Sequence, residues 1–219
     1  ASSIHSELKG ISFNKLLPKQ PLSKITARHT IGLGDSLFEK EIPSEEKLDD
    51  SLPQSLERCI QYYKLRHFKI KISGDLEWDL KRLIDIEKVI NNNAKESFKF
   101  SLDGNEQFDS ITSFQDYWIK LKKQNRLSRF FEHLLFIEQP LHRDVALDSS
   151  LREDFNKWHK SPPIIIDESD STLTSLPEAI SIGYSGTSHK NCKGIFKGIA
   201  NSCLLENRRQ NGLKAVMSG

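Results

Sequence analysis

The chain has 219 residues, 37% of them hydrophobic, and its 32 basic and 30 acidic side chains leave a formal net charge of +2. That is enough apolar material for one packed domain and too much for a disordered chain. The charges are well mixed, so there is no basic stripe for nucleic acid or anionic lipid, and a small-molecule partner is expected instead.

A first strand is expected around Ala27-Arg28-His29-Thr30-Ile31-Gly32. Gly32 to Ser51, rich in Asp, Glu, Ser and Pro, reads as a loop over the mouth of a barrel. Leu56, Cys59, Ile60 and Tyr63 mark a helix, and Phe68 to Ile72 a strand with two lysines on one side. Leu80, Leu83, Ile84 and Ile90 predict a helix over Glu77 to Asn91, followed by a strand from Phe98 to Leu102. Apolar residues at helical spacing run from Phe114 to Leu134, and Leu134 to Ile137 reads as the next strand. A helix over Leu147 to Trp158 then leads to the strand Ile164 to Ile166. Something strand-like lies near Ile180 to His189, a helix is marked by Ile195, Ile199, Cys203 and Leu204, and Leu213 to Met217 is a candidate for a seventh strand.

Strand and helix alternate throughout, which implies a parallel sheet with right-handed crossovers. The fold class is α/β, a (β/α)8-type, TIM-like barrel, because the repeat is close to the ~31 residues per unit of such barrels. It is incomplete in this chain: about seven strands are found and no eighth. The missing strand lies outside these residues, or the segment near Ile180 hides two strands, or another chain completes the fold.

The chemistry gathers at strand ends. Asp103, Glu138 and Asp167 each follow a short apolar run, at separations of 35 and 29 residues, with Lys71 placed 32 before Asp103 and Lys190 placed 23 after Asp167. Three hard carboxylate oxygens from neighbouring strand ends suit Mg²⁺, although a single acid after a strand is as often a helix cap or turn former. Lys69 and Lys71, two apart, point to one face, and Phe68, Ile70 and Ile72 to the other. Two crowded ammonium groups beside a dication are expected to depress each other's pKa, making Lys71 the better general base. Lys190 would face it across the barrel; the polar stretch around it is open to reading as a solvated loop. Asn105, Glu168 and Lys193 are candidates to orient these groups, or turn formers. His29, His142 and His189 share no ligand spacing.

Three cysteines, Cys59, Cys192 and Cys203, fit neither a disulfide framework nor a zinc cluster, which points to a reducing cytoplasm. No apolar run reaches the ~18 residues a membrane span needs, and Ala1 to Lys9 lacks the pattern of a signal peptide. The only methionine is Met217, so Ala1 is not expected to be a native initiator.

The ordered set Lys69-Ile70-Lys71, Asp103-Gly104-Asn105, Ile137-Glu138-Gln139-Pro140, Asp167-Glu168-Ser169 and Lys190 resembles the enolase superfamily, in its branch of muconate lactonizing enzymes and dipeptide epimerases. The resemblance covers about residues 27 to 219. It implies an isomerase or lyase in which Lys71 removes the proton α to a substrate carboxylate. Asp103, Glu138 and Asp167 hold Mg²⁺, which stabilises the enediolate, and Lys190 is the acid/base of the opposite face, a role Lys193 could hold instead. Racemisation, epimerisation, dehydration and cycloisomerisation all stay open. The family's N-terminal capping domain has no counterpart here, so residues 1–26 are expected to be a remnant of that region or a linker, 27–219 the barrel domain, and the chain the barrel portion of a longer protein. A homo-oligomer is expected. The rival readings are an inactive fragment or non-catalytic relative serving as a folding or assembly subunit, and a two-metal hydrolase, against which the paired lysines argue.

Overall fold

The structure is a computed structural model that describes residues 5–94 and 97–219. The reading of 1–4 as the head of a linker lies outside the described residues.

Seven strands form one sheet, all parallel and hydrogen-bonded in sequence order. They are β1 (His29–Ile31), β2 (His67–Lys71), β3 (Lys99–Asp103), β4 (Leu134–Glu138), β5 (Ile164–Ile166), β6 (Gly186–Ser188) and β7 (Val216–Ser218). Between them run the helices α1 (Leu56–Tyr63), α2 (Leu76–Asn93), α3 (Ile111–Lys122), α4 (Arg143–Ala146), α5 (Leu151–Lys157), α6 (Ser175–Ile182) and α7 (Ile195–Gln210). This is an incomplete (β/α)8-type barrel, with no eighth strand among the described residues.

The alternation in β2 shows why these residues fold this way. Phe68, Ile70 and Ile72 are fully buried toward the helices, where Leu83, Ile86, Val89 and Ile90 of α2 meet them. Phe100 and Leu102 of β3 continue that layer. The helices start where side chains can cap them: Ser55 accepts from the Arg58 amide, Asp75 from Trp78 and Ser110 from Ser113. A second apolar cluster joins Leu8 and Leu16 to Leu176, Cys203, Leu204 and Leu205, so the N-terminal residues pack on α6 and α7.

Three local expectations are corrected. The helical pattern over Phe114 to Leu134 breaks at Lys122 into two short 3-10 turns, Asn125–Leu127 and Phe130–His133. Phe130 stacks on Phe100 with ring centroids 4.2 Å apart, so its apolar spacing serves the core rather than one long helix. The segment Ile180 to His189 holds the end of α6 and one three-residue strand, which removes the reading that it hides two. The segment after β1 packs at the side of the barrel: Arg82 of α2 donates to the carbonyls of Gly32 and Asp35, and Leu37 joins the core.

Candidate active site

In a parallel sheet, residues paired in register share a face, and Lys71 pairs with Asp103, which pairs with Glu138. All three therefore leave the same end of the sheet toward the barrel interior. Asp167 follows β5 directly, and Lys190 and Lys193 follow β6.

Lys69 stands between two carboxylates, its Nζ 2.8 Å from Asp103 Oδ2 and 2.9 Å from Glu138 Oε1. Burial alone would lower its pKa, but Glu138 and Asp103 outweigh that and raise it, opposite in sign to the depression expected for this lysine. Lys71, half-buried one step nearer the strand end, has no hydrogen-bond or ion-pair partner among the described residues. Glu138 is fully buried, and the cost of that burial pushes its carboxyl above the usual carboxylate range despite Lys69.

Asp167 is held differently. Lys190 donates to its Oδ2, and Lys193 donates to its Oδ1 at 2.5 Å, to its carbonyl at 2.6 Å and to the Ser188 carbonyl at 2.9 Å. Burial opposes its charge, but these two ammonium groups prevail and hold its carboxyl down at about 2. Lys190 also approaches Glu138 Oε1 to 3.9 Å and keeps a side chain 42% exposed, against 17% for Lys193. Asn105 donates its backbone amide to Asp103 Oδ1 at 3.1 Å. Burial raises the carboxyl of half-buried Glu168, whose Oε2 has no hydrogen-bond partner.

The carboxylates converge, but they are occupied by lysines. Among the described residues no three acidic, histidine or cysteine side chains are already gathered as a metal-binding group. The physical reason is that ammonium groups sit between the acids. The donor chemistry nevertheless fits a hard cation: Glu138 Oε2 is buried without a hydrogen bond, and three carboxylates from adjacent strand ends offer oxygen ligands alone.

Two interior residues escaped the sequence reading. Arg28, just before β1, donates to Ser101 Oγ of β3 and Ser218 Oγ of β7, lies 5.0 Å above the Phe136 ring, and comes within 3.8 Å of Glu138 Oε2. The alternation of β1 put Arg28 on the interior face, but nothing in the sequence marked it as reaching across. Gln139 is buried at the β4 end and bonded to the β5 end. Its place in the Ile137-Glu138-Gln139-Pro140 run was the one available signal.

The fold and site together define a class: a barrel with carboxylates and lysines collected at the C-terminal ends of its strands, where such barrels carry their chemistry. No protein-family model and no curated protein sequence matches the chain. Solved structures do. A mandelate racemase/muconate lactonizing enzyme from Roseiflexus sp. aligns at 23% identity over 75% of this chain and 43% of its own, with a TM-score of 0.52. For 2-chloromuconate cycloisomerase from Rhodococcus opacus the figures are 18%, 86%, 44% and 0.53. For a dipeptide epimerase from Enterococcus faecalis, complexed with Mg and the dipeptide L-Leu-L-Tyr, they are 19%, 70%, 39% and 0.50. The likeness is one of fold, and the chain spans less than half the length of these structures.

Proposed function

We propose that this chain is the barrel portion of a Mg²⁺-dependent enzyme of the enolase superfamily, one that removes the proton α to the carboxylate of a small substrate. The observation that carries the reading is the contrast between the two lysines of β2. Lys69 is locked between Asp103 and Glu138, whereas Lys71, at the strand end, has no hydrogen-bond or ion-pair partner among the described residues.

Asp103, Glu138 and Asp167 would hold the cation. Bound there, Mg²⁺ supplies Lewis-acid stabilisation of negative charge on the substrate carboxylate, worth several kcal/mol. In the proton transfer the Cα–H bond breaks, its proton would pass to the lone pair of Lys71 Nζ, and the electron pair moves into the carboxylate. Lys190 lies beside Asp167 and Glu138 with an exposed side chain, which supports its reading as the group that would return a proton to the opposite face. Lys193, bound to three oxygens around Asp167, holds that acid in place. Return of the proton gives racemisation or epimerisation, and loss of a β-substituent gives dehydration. A cytoplasmic homo-oligomer is part of this proposal, supported as to compartment by three free cysteines.

A second reading, an inactive fragment or assembly subunit, draws on the lysines that already neutralise the acids. Screening small carboxylates in deuterated water separates the two: the enzyme incorporates deuterium at Cα and the inert chain does not. Lys71→Ala is expected to lower that exchange about 10²- to 10⁴-fold and to leave Mg²⁺ affinity by calorimetry near wild type. Undiminished exchange removes Lys71 as the base. Asp103→Asn and Glu138→Gln are expected to weaken Mg²⁺, and unchanged affinity overturns the ligand assignment.

A further inference from the structure

Gln139 sits between Glu138 and Asp167 in space, is 1% exposed, and uses the whole hydrogen-bonding capacity of its amide. Its Nε2 donates to the Leu141 carbonyl at 2.8 Å and to Ser169 Oγ at 2.7 Å. Its Oε1 accepts from the Asp167 amide at 2.7 Å and from the Ser169 amide at 3.3 Å. The backbone joins the same web: Gln139 N donates to the Ile165 carbonyl and its carbonyl accepts from Glu106 N, at 2.8 and 2.9 Å.

The residue adopts a positive φ of 33°, a conformation a side chain with a Cβ takes only where its surroundings enforce it. Beside it the β3 loop comes so close that a Cβ on Gly104 would lie 2.6 Å from Pro140 Cα. Gln139 therefore ties together the ends of β3, β4 and β5, the three strands that deliver Asp103, Glu138 and Asp167: its side-chain amide joins β4 to β5, and its backbone carbonyl takes in the β3 loop. An apolar side chain of the same volume would fill the space but strand the Asp167 and Ser169 amides, which then turn to find other partners.

We infer that Gln139 is a positioning residue: its side-chain amide fixes the backbone at Asp167 and so sets the spacing of the acidic triad for a divalent cation. The inference rests on the metal reading above and adds to it a residue that touches neither cation nor substrate.

The test compares the full wild-type chain with Gln139→Met and with Leu83→Ala, a cavity variant in α2 remote from the acids. Two readouts are taken where all three are folded: Mn²⁺ affinity by calorimetry, and amide hydrogen exchange at Asp167 and Ser169. Gln139→Met is expected to bind Mn²⁺ about tenfold or more weakly, the usual effect of losing a group that orients a metal ligand, and to exchange faster at both amides. Leu83→Ala is expected to change neither. Equal Mn²⁺ affinity in Gln139→Met, or an equal loss in Leu83→Ala, overturns the inference. If the wild type takes up no Mn²⁺ the metal reading itself fails, and unchanged exchange at Asp167 and Ser169 then overturns the positioning role. Should Gln139→Met not fold, Ser169→Ala removes one of the two Nε2 acceptors alone and is expected to give a smaller loss of the same sign; unaltered affinity and exchange there count against the inference.

Discussion

At the scale of single residues, the site sets two carboxylates against each other. Glu138 lies too deep for its partner to offset burial fully, so its carboxyl titrates above the ordinary range, while the two lysines on Asp167 pull that group down to about 2. The signs for stability are opposite. Asp167, with a folded pKa below its unfolded one, contributes stability that is present above 3.8 and is lost as the pH falls toward about 2. Glu138 weakens the folded state once the pH rises above 4.5, where the unfolded chain ionises more readily. Urea midpoints measured across the acid range should therefore fall below about pH 4 in the wild type and fall less in Asp167→Asn. Parallel curves would show that the lysine contacts add nothing to folding.

Among the elements, the strands rich in Phe, Ile and Leu were legible because alternation or continuous burial leaves a pattern in sequence, as in Phe68 to Ile72 and Ile164 to Ile166. β6 left none. Its residues are Gly186, Thr187 and Ser188, all buried, with Thr187 donating to Asp170 Oδ2. A strand made of small polar residues looks like a loop. The acids and lysines at strand ends were legible from spacing, and the structure brings them together; Arg28 and Gln139 were not, because the partners that give them their place, Ser101 and Ser218 for one and Asp167 and Ser169 for the other, lie far off in the sequence. Gly186 also shows why β6 is small: a Cβ there would lie 1.8 Å from the Val216 carbonyl oxygen of β7. Gly186→Ala is expected to cost about 1–3 kcal/mol through this overlap, seen as a lower melting temperature with faster amide exchange at residues 216–218. Normal protection of β7 would mean the sheet absorbs a methyl group at its closest approach.

For the molecule as a whole, β1 and β7 are the two ends of the sheet order, and Arg28 connects them through the interior. Its guanidinium is hydrogen-bonded to hydroxyls of β3 and β7 and stacked on Phe136 of β4, so one side chain links four of the seven strands. The same charge stands 3.8 Å from Glu138 Oε2, where it competes with any cation that oxygen would hold. Folding and metal binding therefore want different things from this residue. Replacing it by methionine keeps bulk over Phe136 but removes the charge and the two hydrogen bonds. Hydrogen bonds from charged groups contribute about 1.5–3 kcal/mol each, so Arg28→Met should lower the urea midpoint clearly. Calorimetry on the same variant should show tighter Mg²⁺ binding, because a repelling charge beside a proposed ligand has gone. A variant that lost stability and Mg²⁺ affinity together would mean that Arg28 supports the site by holding the strands in place, and that its shape matters to Glu138 more than its charge.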